Sequence, residues 1–129
     1  MKLDRDLVRE MLFALEAKPD FAMRKYKQIT PEGRKPDDVG YALIKMYEAG
    51  FITGEVIRSK STPDRLIEVI PFELTFKGHE FLDSIRDDEI WRKTKDGARK
   101  MGGAGIEFMW EMAKAYGKHV AKEKLGLEL

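Results

Sequence analysis

The sequence predicts an α+β fold, a winged helix-turn-helix with a helical C-terminal extension, and two observations carry this prediction. A helix pattern that ends at Gly50 is followed by two strand-like segments, residues 51–57 and 66–74, joined by a polar stretch. Another amphipathic helix pattern starts directly after the second strand, at Thr75. Helix, two-stranded wing and helix is the element order of a winged helix, so this order restricts the function more tightly than any other feature.

The chain is expected to form one domain, with a winged-helix core over residues 1–91. Residues 92–129 are the extension, which either packs on the core or forms a dimer interface. A chain of 129 residues can bury a single core. No apolar run approaches the ~20 residues of a membrane span, and the N-terminus lacks the apolar stretch of a signal peptide. The absence of cysteine excludes disulfides and thiolate zinc sites. These features predict a cytoplasmic protein that does not contact a membrane.

The N-terminal part of the core is predicted to contain two helices. Leucine, valine and methionine recur at helical spacing over residues 3–17. The second helix, residues 36–49, begins with Pro36, which suits the first helical position, and ends at Gly50, a good C-terminal cap. The residues expected on its buried face are Val39, Leu43, Met46 and Tyr47.

The two strands are predicted to be joined by an exposed wing tip, residues 58–65, and Pro71 must lie at an edge or a bulge. Thr75 is expected to cap the next helix. Acidic residues 87–89 either cap a further helix that reaches residue 100, or lie within one continuous helix. A glycine-rich break at 101–105 precedes the last helix. The side chains expected to face inward from the helix after Thr75 are Phe76, Phe81, Leu82 and Ile85.

The net charge of +1 conceals an uneven distribution. Residues 1–36 have nine basic and six acidic side chains, a local charge of +3. Residues 37–91 have six basic and twelve acidic side chains, −6, and residues 92–100 have five basic and one acidic, +4. The predicted helix and wing are therefore the acidic part of the chain, whereas a phosphate backbone attracts a basic surface.

One string of residues is similar to a known family. The run LTFKGHEFLD at 74–83, followed by RDD at 86–88 and by Trp91, resembles a bacterial family often found in prophages and catalogued as domain of unknown function 2513. The segment EAGFI at 48–52 and the glycine-rich break fit it too. The resemblance implies a winged-helix fold and a phage or mobile-element setting, and it implies no activity. The family often has histidine directly after the tyrosine that is Tyr41 here; this chain has Ala42, so any role of that histidine is absent.

The residues predict no enzyme. His79 and Asp83 share a helix face, but a metal site needs three or more ligands, so we interpret His79 as structural. His119 lies on a predicted solvated face. Consecutive acidic residues on a helix point about 100° apart and cannot converge on one ion. We therefore expect no catalytic residue, metal, cofactor or small-molecule ligand.

Nucleic-acid binding has mixed support. Helix 36–49 would expose one lysine against three carboxylates, which is a poor surface for reading bases. The wing and the loop before Pro36 supply cations suited to phosphates. An ordinary solvated surface explains these cations equally well. The residues expected at DNA are Tyr41, Lys45, Arg58, Lys60, Arg65 and Lys35.

The last helix has an apolar face that either packs back on the chain or pairs with another copy, and a homodimer is predicted through Met109, Trp110 and Tyr116. The favoured function is a non-enzymatic DNA-binding regulator of phage or mobile-element type. The alternative is a winged-helix adaptor that binds a host or self protein with its acidic helix, residues 37–49, and does not bind DNA.

Overall fold

The computed structural model describes residues 2–18, 29–102 and 105–126, and these form a mixed α+β structure. Within these ranges there are five helices and one two-stranded antiparallel sheet, which confirms the predicted α+β class. The elements are α1 (Arg5–Glu16), α2 (Pro36–Glu48), β1 (Ile52–Arg58), β2 (Leu66–Leu74), α3 (Phe76–Ile85), α4 (Asp88–Lys100) and α5 (Ile106–Leu125). No helix of the described ranges is long and apolar enough to cross a membrane.

The chain divides into two compact units, Met1–Glu80 and Phe81–Leu129. The first contains α1, α2, the β hairpin and the start of α3, and the second contains the end of α3 with α4 and α5. The division into residues 1–91 and 92–129 stays a prediction.

Helix α1 begins where the sequence places a capping residue. The Asp4 side chain accepts a hydrogen bond from the Leu7 backbone N–H at 3.1 Å, which satisfies one of the free donors of the first turn. The residues buried on one face of α1 are Leu7, Val8, Met11, Leu12 and Leu15. Their spacing of three and four residues is the helical periodicity from which this helix was predicted.

Helix α2 ends in a Schellman motif. Gly50 has φ +81°, in the left-handed region, its N–H donates to the Tyr47 carbonyl, and the Phe51 N–H donates to the Met46 carbonyl. The predicted glycine cap is therefore confirmed. The residues buried in α2 are Val39, Ala42, Leu43 and Met46. Tyr47, which was expected in this set, is only half-buried, and Ala42 takes the fourth buried position.

Strands β1 and β2 form the predicted antiparallel hairpin, with Val56 opposite Val69. The pairing shifts register near the end of the hairpin that adjoins α2 and α3, where Gly54 lies opposite Pro71. Pro71 thus lies beside a bulge, as predicted, because a proline cannot donate a ladder hydrogen bond. A second irregularity lies next to the turn of the hairpin. There Ile57 pairs with Glu68 and Arg58 pairs with Leu66, so that Ile67 has no partner on β1.

One prediction for α3 was wrong. Phe81, Leu82 and Ile85 are buried as expected, but Phe76 is 81 % exposed. The reason is geometric: the buried positions of α3 follow the face that includes Gly78, and residue 76 lies two positions, or about 200°, from residue 78 around the helix. The helical period therefore places Phe76 on the outer face of α3, opposite Ile85.

Helices α3 and α4 are separate, which decides between the two predicted alternatives. The Asp87 side chain accepts from the Ile90 N–H at 3.0 Å and caps α4. Thr94 is fully buried within α4, and its hydroxyl donates to the Ile90 carbonyl at 2.7 Å. Helix α5 lies close to Gly97, since a methyl group there would come within 3.1 Å of the Tyr116 hydroxyl. Glycine at this position therefore permits the close packing of α4 and α5.

Candidate functional site

The hairpin is fixed at its base by a set of contacts that we call the hairpin junction, formed by Gly50, Phe51, Thr75 and Gly78. The Thr75 hydroxyl donates to the Gly50 carbonyl at 2.6 Å, and the Thr75 N–H donates to the Phe51 carbonyl at 2.9 Å. The same hydroxyl accepts from the Gly78 N–H at 3.0 Å, so it also caps α3. The junction thus ties the end of α2 to the start of α3 across the hairpin.

Gly78 is required at the junction by the space available. A Cβ at position 78 would lie 2.1 Å from the Phe51 carbonyl oxygen, well inside contact distance, and that oxygen belongs to the backbone and cannot rotate away. The Phe51 ring is fully buried, and the Lys77 ammonium lies 5.4 Å from its centroid. These residues hold the hairpin in position and present no surface for a ligand.

A concave surface of the first unit lies between α2 and β2. This α2–β2 groove has a volume of about 800 Å³ and is lined on one side by α2 and on the other by residues 64–68. Tyr41, Lys45 and Arg65, three of the residues expected at DNA, line it together. The hairpin junction positions this groove, because α2 leads directly into β1 and β1 pairs with β2.

The groove is acidic in balance. It is lined by four carboxylate residues and two cationic ones, a difference of −2. The carboxylate residues are Asp37, Glu48, Asp64 and Glu68, and the cationic residues are Lys45 and Arg65. Lys45 is already engaged, since its ammonium lies 3.1 Å from the Glu48 carboxylate and 5.4 Å from the centre of the Tyr41 ring. With Glu48 paired to Lys45, Arg65 is the second cation of the lining beside three further carboxylates.

The tip of the hairpin, residues 58–65, differs from the groove. Arg58, Lys60 and Arg65 are all exposed there, and within the described ranges neither Lys60 nor Arg65 forms an ion pair. The tip is ordered by short-range bonds: the Ser59 N–H donates to the Arg65 carbonyl at 3.0 Å, and the Thr62 N–H donates to the Ser59 hydroxyl at 3.1 Å. The three expected phosphate-binding cations of the wing thus project from one compact loop.

One cation of the basic loop before α2 is already paired within the protein. Lys35 is exposed at the start of α2, but Arg34 bridges Asp4 and Glu10 of the α1 region, at 2.7 Å to each carboxylate. The hydrogen bond to Glu10 is the main cause that raises the pKa of Arg34 above its ordinary value, and Asp4 adds to it. Residues 24–27, which also carry cations of this loop, lie outside the described ranges.

The residues expected at a dimer interface are occupied within the second unit. Met109 is buried, and Trp110 packs edge-on against Phe81 with ring centroids 6.1 Å apart. The Trp110 indole N–H donates to the Ser84 hydroxyl at 3.1 Å. Tyr116 is half-buried and lies against Gly97. The homodimer stays a prediction.

Neither histidine lies in a site of converging ligands. His79 is exposed on α3, and His119 faces Glu123 one turn along α5, at 3.1 Å. In the part of the chain that the structure describes, no group of three or more His, Asp or Glu side chains is arranged to hold a metal ion. The groove and the hairpin tip therefore offer charged and apolar contacts to a ligand.

The sequence did not single out Ile67, which is 56 % exposed and lines the groove. Simple alternation along β2 would place residue 67 on the same face as Val69, which is buried. The register irregularity makes Ile67 the extra residue of β2, so alternation fails there. The only signal in the sequence that could have identified this residue was an isoleucine close to the polar segment that joins the two strands.

The fold and the surface together define a small α+β protein built around a helix-tied β hairpin with an acidic groove. Residues 2–104 match the family described as "Hypothetical protein (DUF2513)", and the chain belongs to this family, as its resemblance indicated. It is also similar to a Haemophilus influenzae protein described as "Uncharacterized protein", with 33 % identity over 98 residues, covering 74 % of this chain and 76 % of the relative. No solved structure matches the chain.

Proposed function

We propose that this chain is a winged-helix-type adaptor that binds a cationic segment of a partner protein in the α2–β2 groove. The observation that carries the proposal is the charge of the groove, where four carboxylates face two cations and one of those cations is paired with Glu48. The order of α2, β1, β2 and α3 supports the winged-helix assignment. In that arrangement α2 is the helix that would otherwise read DNA. The resemblance described above adds a phage or mobile-element setting to the proposal.

The charge of the groove argues against a duplex on α2. B-DNA carries one phosphate per ~1.7 Å of axis, and charges interact over a Debye length of about 8 Å at physiological salt. Seating α2 in a major groove would bring phosphates within that distance of Asp37 and Glu48. Lys45, the central cation of this face, would have to exchange its bond with Glu48 for one with phosphate. A cationic polypeptide is not repelled by these carboxylates, and its binding does not require Lys45 to leave Glu48.

A second candidate is DNA binding through the tip of the hairpin. Arg58, Lys60 and Arg65 project from it, and this specific observation favours phosphate contact independently of α2. A surface of three cations predicts weak affinity without sequence preference and with a shallow salt dependence. The two candidates share Arg65, which also lines the groove, whereas Arg58 and Lys60 belong to the tip alone.

The test compares two fluorescent probes by anisotropy at low and moderate salt: a random-sequence DNA duplex and a short peptide of alternating lysine and leucine. We expect the peptide to bind and the duplex to bind weakly or not at all. Charge reversal in the groove, Glu48→Lys, is expected to abolish peptide binding. The matched control, Glu73→Lys, changes the same charge at an exposed strand position outside the groove and is expected to leave it intact.

Tight, salt-sensitive binding of the duplex together with no binding of the peptide would reject the adaptor and support the DNA-binding candidate. Equal loss of peptide binding in both variants would mean that the peptide responds to overall charge and does not occupy the groove. Because the whole chain carries +1, general attraction for a cationic peptide is weak, so binding that Glu48→Lys abolishes and Glu73→Lys preserves points to the local acidic surface of the groove.

A further inference from the structure

The α2–β2 groove contains an apolar feature that its charge does not explain. Ile67 is 56 % exposed and lines the groove, held outward as the extra residue at the second register irregularity of the hairpin. An aliphatic side chain fixed in water by a bulge is a site where a ligand gains affinity by covering it. Ile57, on β1, is also exposed, at 40 %, but does not line the groove.

The opposite wall completes an apolar seat. Tyr41 and Ile44 lie on the face of α2 that lines the groove, and both are half-buried. Together with Ile67 they form an apolar centre, and Leu66 adjoins it on β2. Along α2, Asp37 and Glu48 lie on either side of Tyr41 and Ile44, and Glu68 follows Ile67 on the strand. The lining contributed by α2 is therefore apolar in its middle and acidic at both ends.

The acidic residues of α2 set the length of the occupant. Asp37 and Glu48 are eleven positions apart on one helix, which corresponds to about 16 Å along its axis. An extended chain advances about 3.3 Å per residue, so roughly five residues reach from one carboxylate to the other. An aliphatic residue near the middle of such a segment would face Ile67, and basic residues on either side of it would face the acidic border.

We infer that the partner segment bound by this groove has an aliphatic side chain flanked on both sides by lysine or arginine, and that Ile67 forms the seat for the aliphatic side chain. This inference rests on the proposed adaptor function and adds the chemistry that the partner must have. The occupant is a segment of another protein, because charge complementarity requires cations and a duplex supplies only anions at its surface.

The experiment uses the full chain and two peptides of identical length and charge. In one, lysines flank a central leucine, and in the other a central serine replaces it. We expect the leucine peptide to bind more tightly, on the order of tenfold, as burial of an aliphatic side chain implies. Ile67→Ser is expected to remove this preference, so that the two peptides bind the variant with equal affinity. The matched control is Ile57→Ser, which should preserve the preference.

Each outcome decides a separate point. If both peptides bind equally well to the native chain, the apolar seat is wrong, while the adaptor function stands on the groove charges alone. If the preference survives Ile67→Ser or is lost in Ile57→Ser, the seat lies elsewhere. If neither peptide binds, the adaptor function itself fails.

Sedimentation of the native chain and of Ile67→Ser tests whether a second copy of this chain occupies the groove. A dimer that dissociates in the variant would overturn the assignment of a foreign partner. Because Ile67 is exposed and unpaired, the variant is expected to fold, and circular dichroism checks this.

Discussion

The two ends of the β hairpin are built in different ways. At the junction end, Phe51 and Ile52 are buried, and backbone and hydroxyl hydrogen bonds join Gly50 and Phe51 to Thr75. At the tip, residues 58–65 are mostly exposed and are held by short-range hydrogen bonds, such as that from the Ser59 N–H to the Arg65 carbonyl. The most distinctive string of the sequence, residues 74–83, begins at the junction end. Its specificity therefore reflects how the hairpin is held, and the surfaces available for recognition lie toward the other end.

The largest effect is expected from adding one methyl group at the junction. Gly78→Ala would place a Cβ 2.1 Å from the Phe51 carbonyl oxygen, and backbone on both sides must move to relieve the contact. We expect a loss of about 3 kcal/mol or more in the free energy of unfolding, measured by urea titration with far-ultraviolet circular dichroism.

Gly40→Ala is the control for this change, because a Cβ at residue 40 of α2 meets no atom within 4 Å. Alanine is favoured over glycine inside a helix by up to about 1 kcal/mol, so this variant is expected to be slightly more stable. Equal stability of the Gly78→Ala and native proteins would show that the junction adapts, and the contrast between the two ends of the hairpin would be lost.

A smaller effect is expected from removing one hydroxyl at the junction. Thr75→Val keeps the shape of the side chain and loses both the donor to the Gly50 carbonyl and the acceptor for the Gly78 N–H. Loss of a helix cap and of a hydrogen bond predicts a decrease of about 1–2 kcal/mol in the free energy of unfolding. Thr75→Ser keeps both bonds and should restore most of the stability. If valine and serine are equivalent, the hydroxyl does not hold the junction.

The difference between the two ends also separates what the sequence could predict from what it could not. Gly50 and Thr75 act through local rules of capping, and their roles were predicted correctly, while the cap at Asp87 was one of two alternatives that the sequence left open. The close approach of Gly78 to Phe51 joins residues 27 positions apart, and no local rule reveals it.

The same limit applies to the groove. Its acidic helix was predicted from composition, but Ile67 was missed because a bulge shifts its face, and a bulge depends on the pairing of two strands. The position of Phe76 was predicted wrongly for a different reason: its apolar side chain was taken as buried, although residue 76 lies about 180° from Ile85 around the helix. Local chemistry was predictable here, and contacts between distant segments were not.

The smallest effect on stability is expected at the tip. Arg58→Ala combined with Arg65→Ala removes two exposed cations, and within residues 2–18, 29–102 and 105–126 the Arg58 side chain makes one hydrogen bond, at 3.4 Å to the Pro63 carbonyl. Changes at exposed surface positions usually alter the free energy of unfolding by no more than about 0.5 kcal/mol, so the urea midpoint should match that of the native chain. The double variant therefore separates an effect on recognition from an effect on folding.

If the tip contacts phosphates, the affinity of the double variant for a random-sequence duplex is lower than that of the native chain and depends less on salt, whatever the sequence of the duplex. A large loss of stability would instead show that the tip supports the hairpin as the junction does, and the two ends would no longer differ in kind.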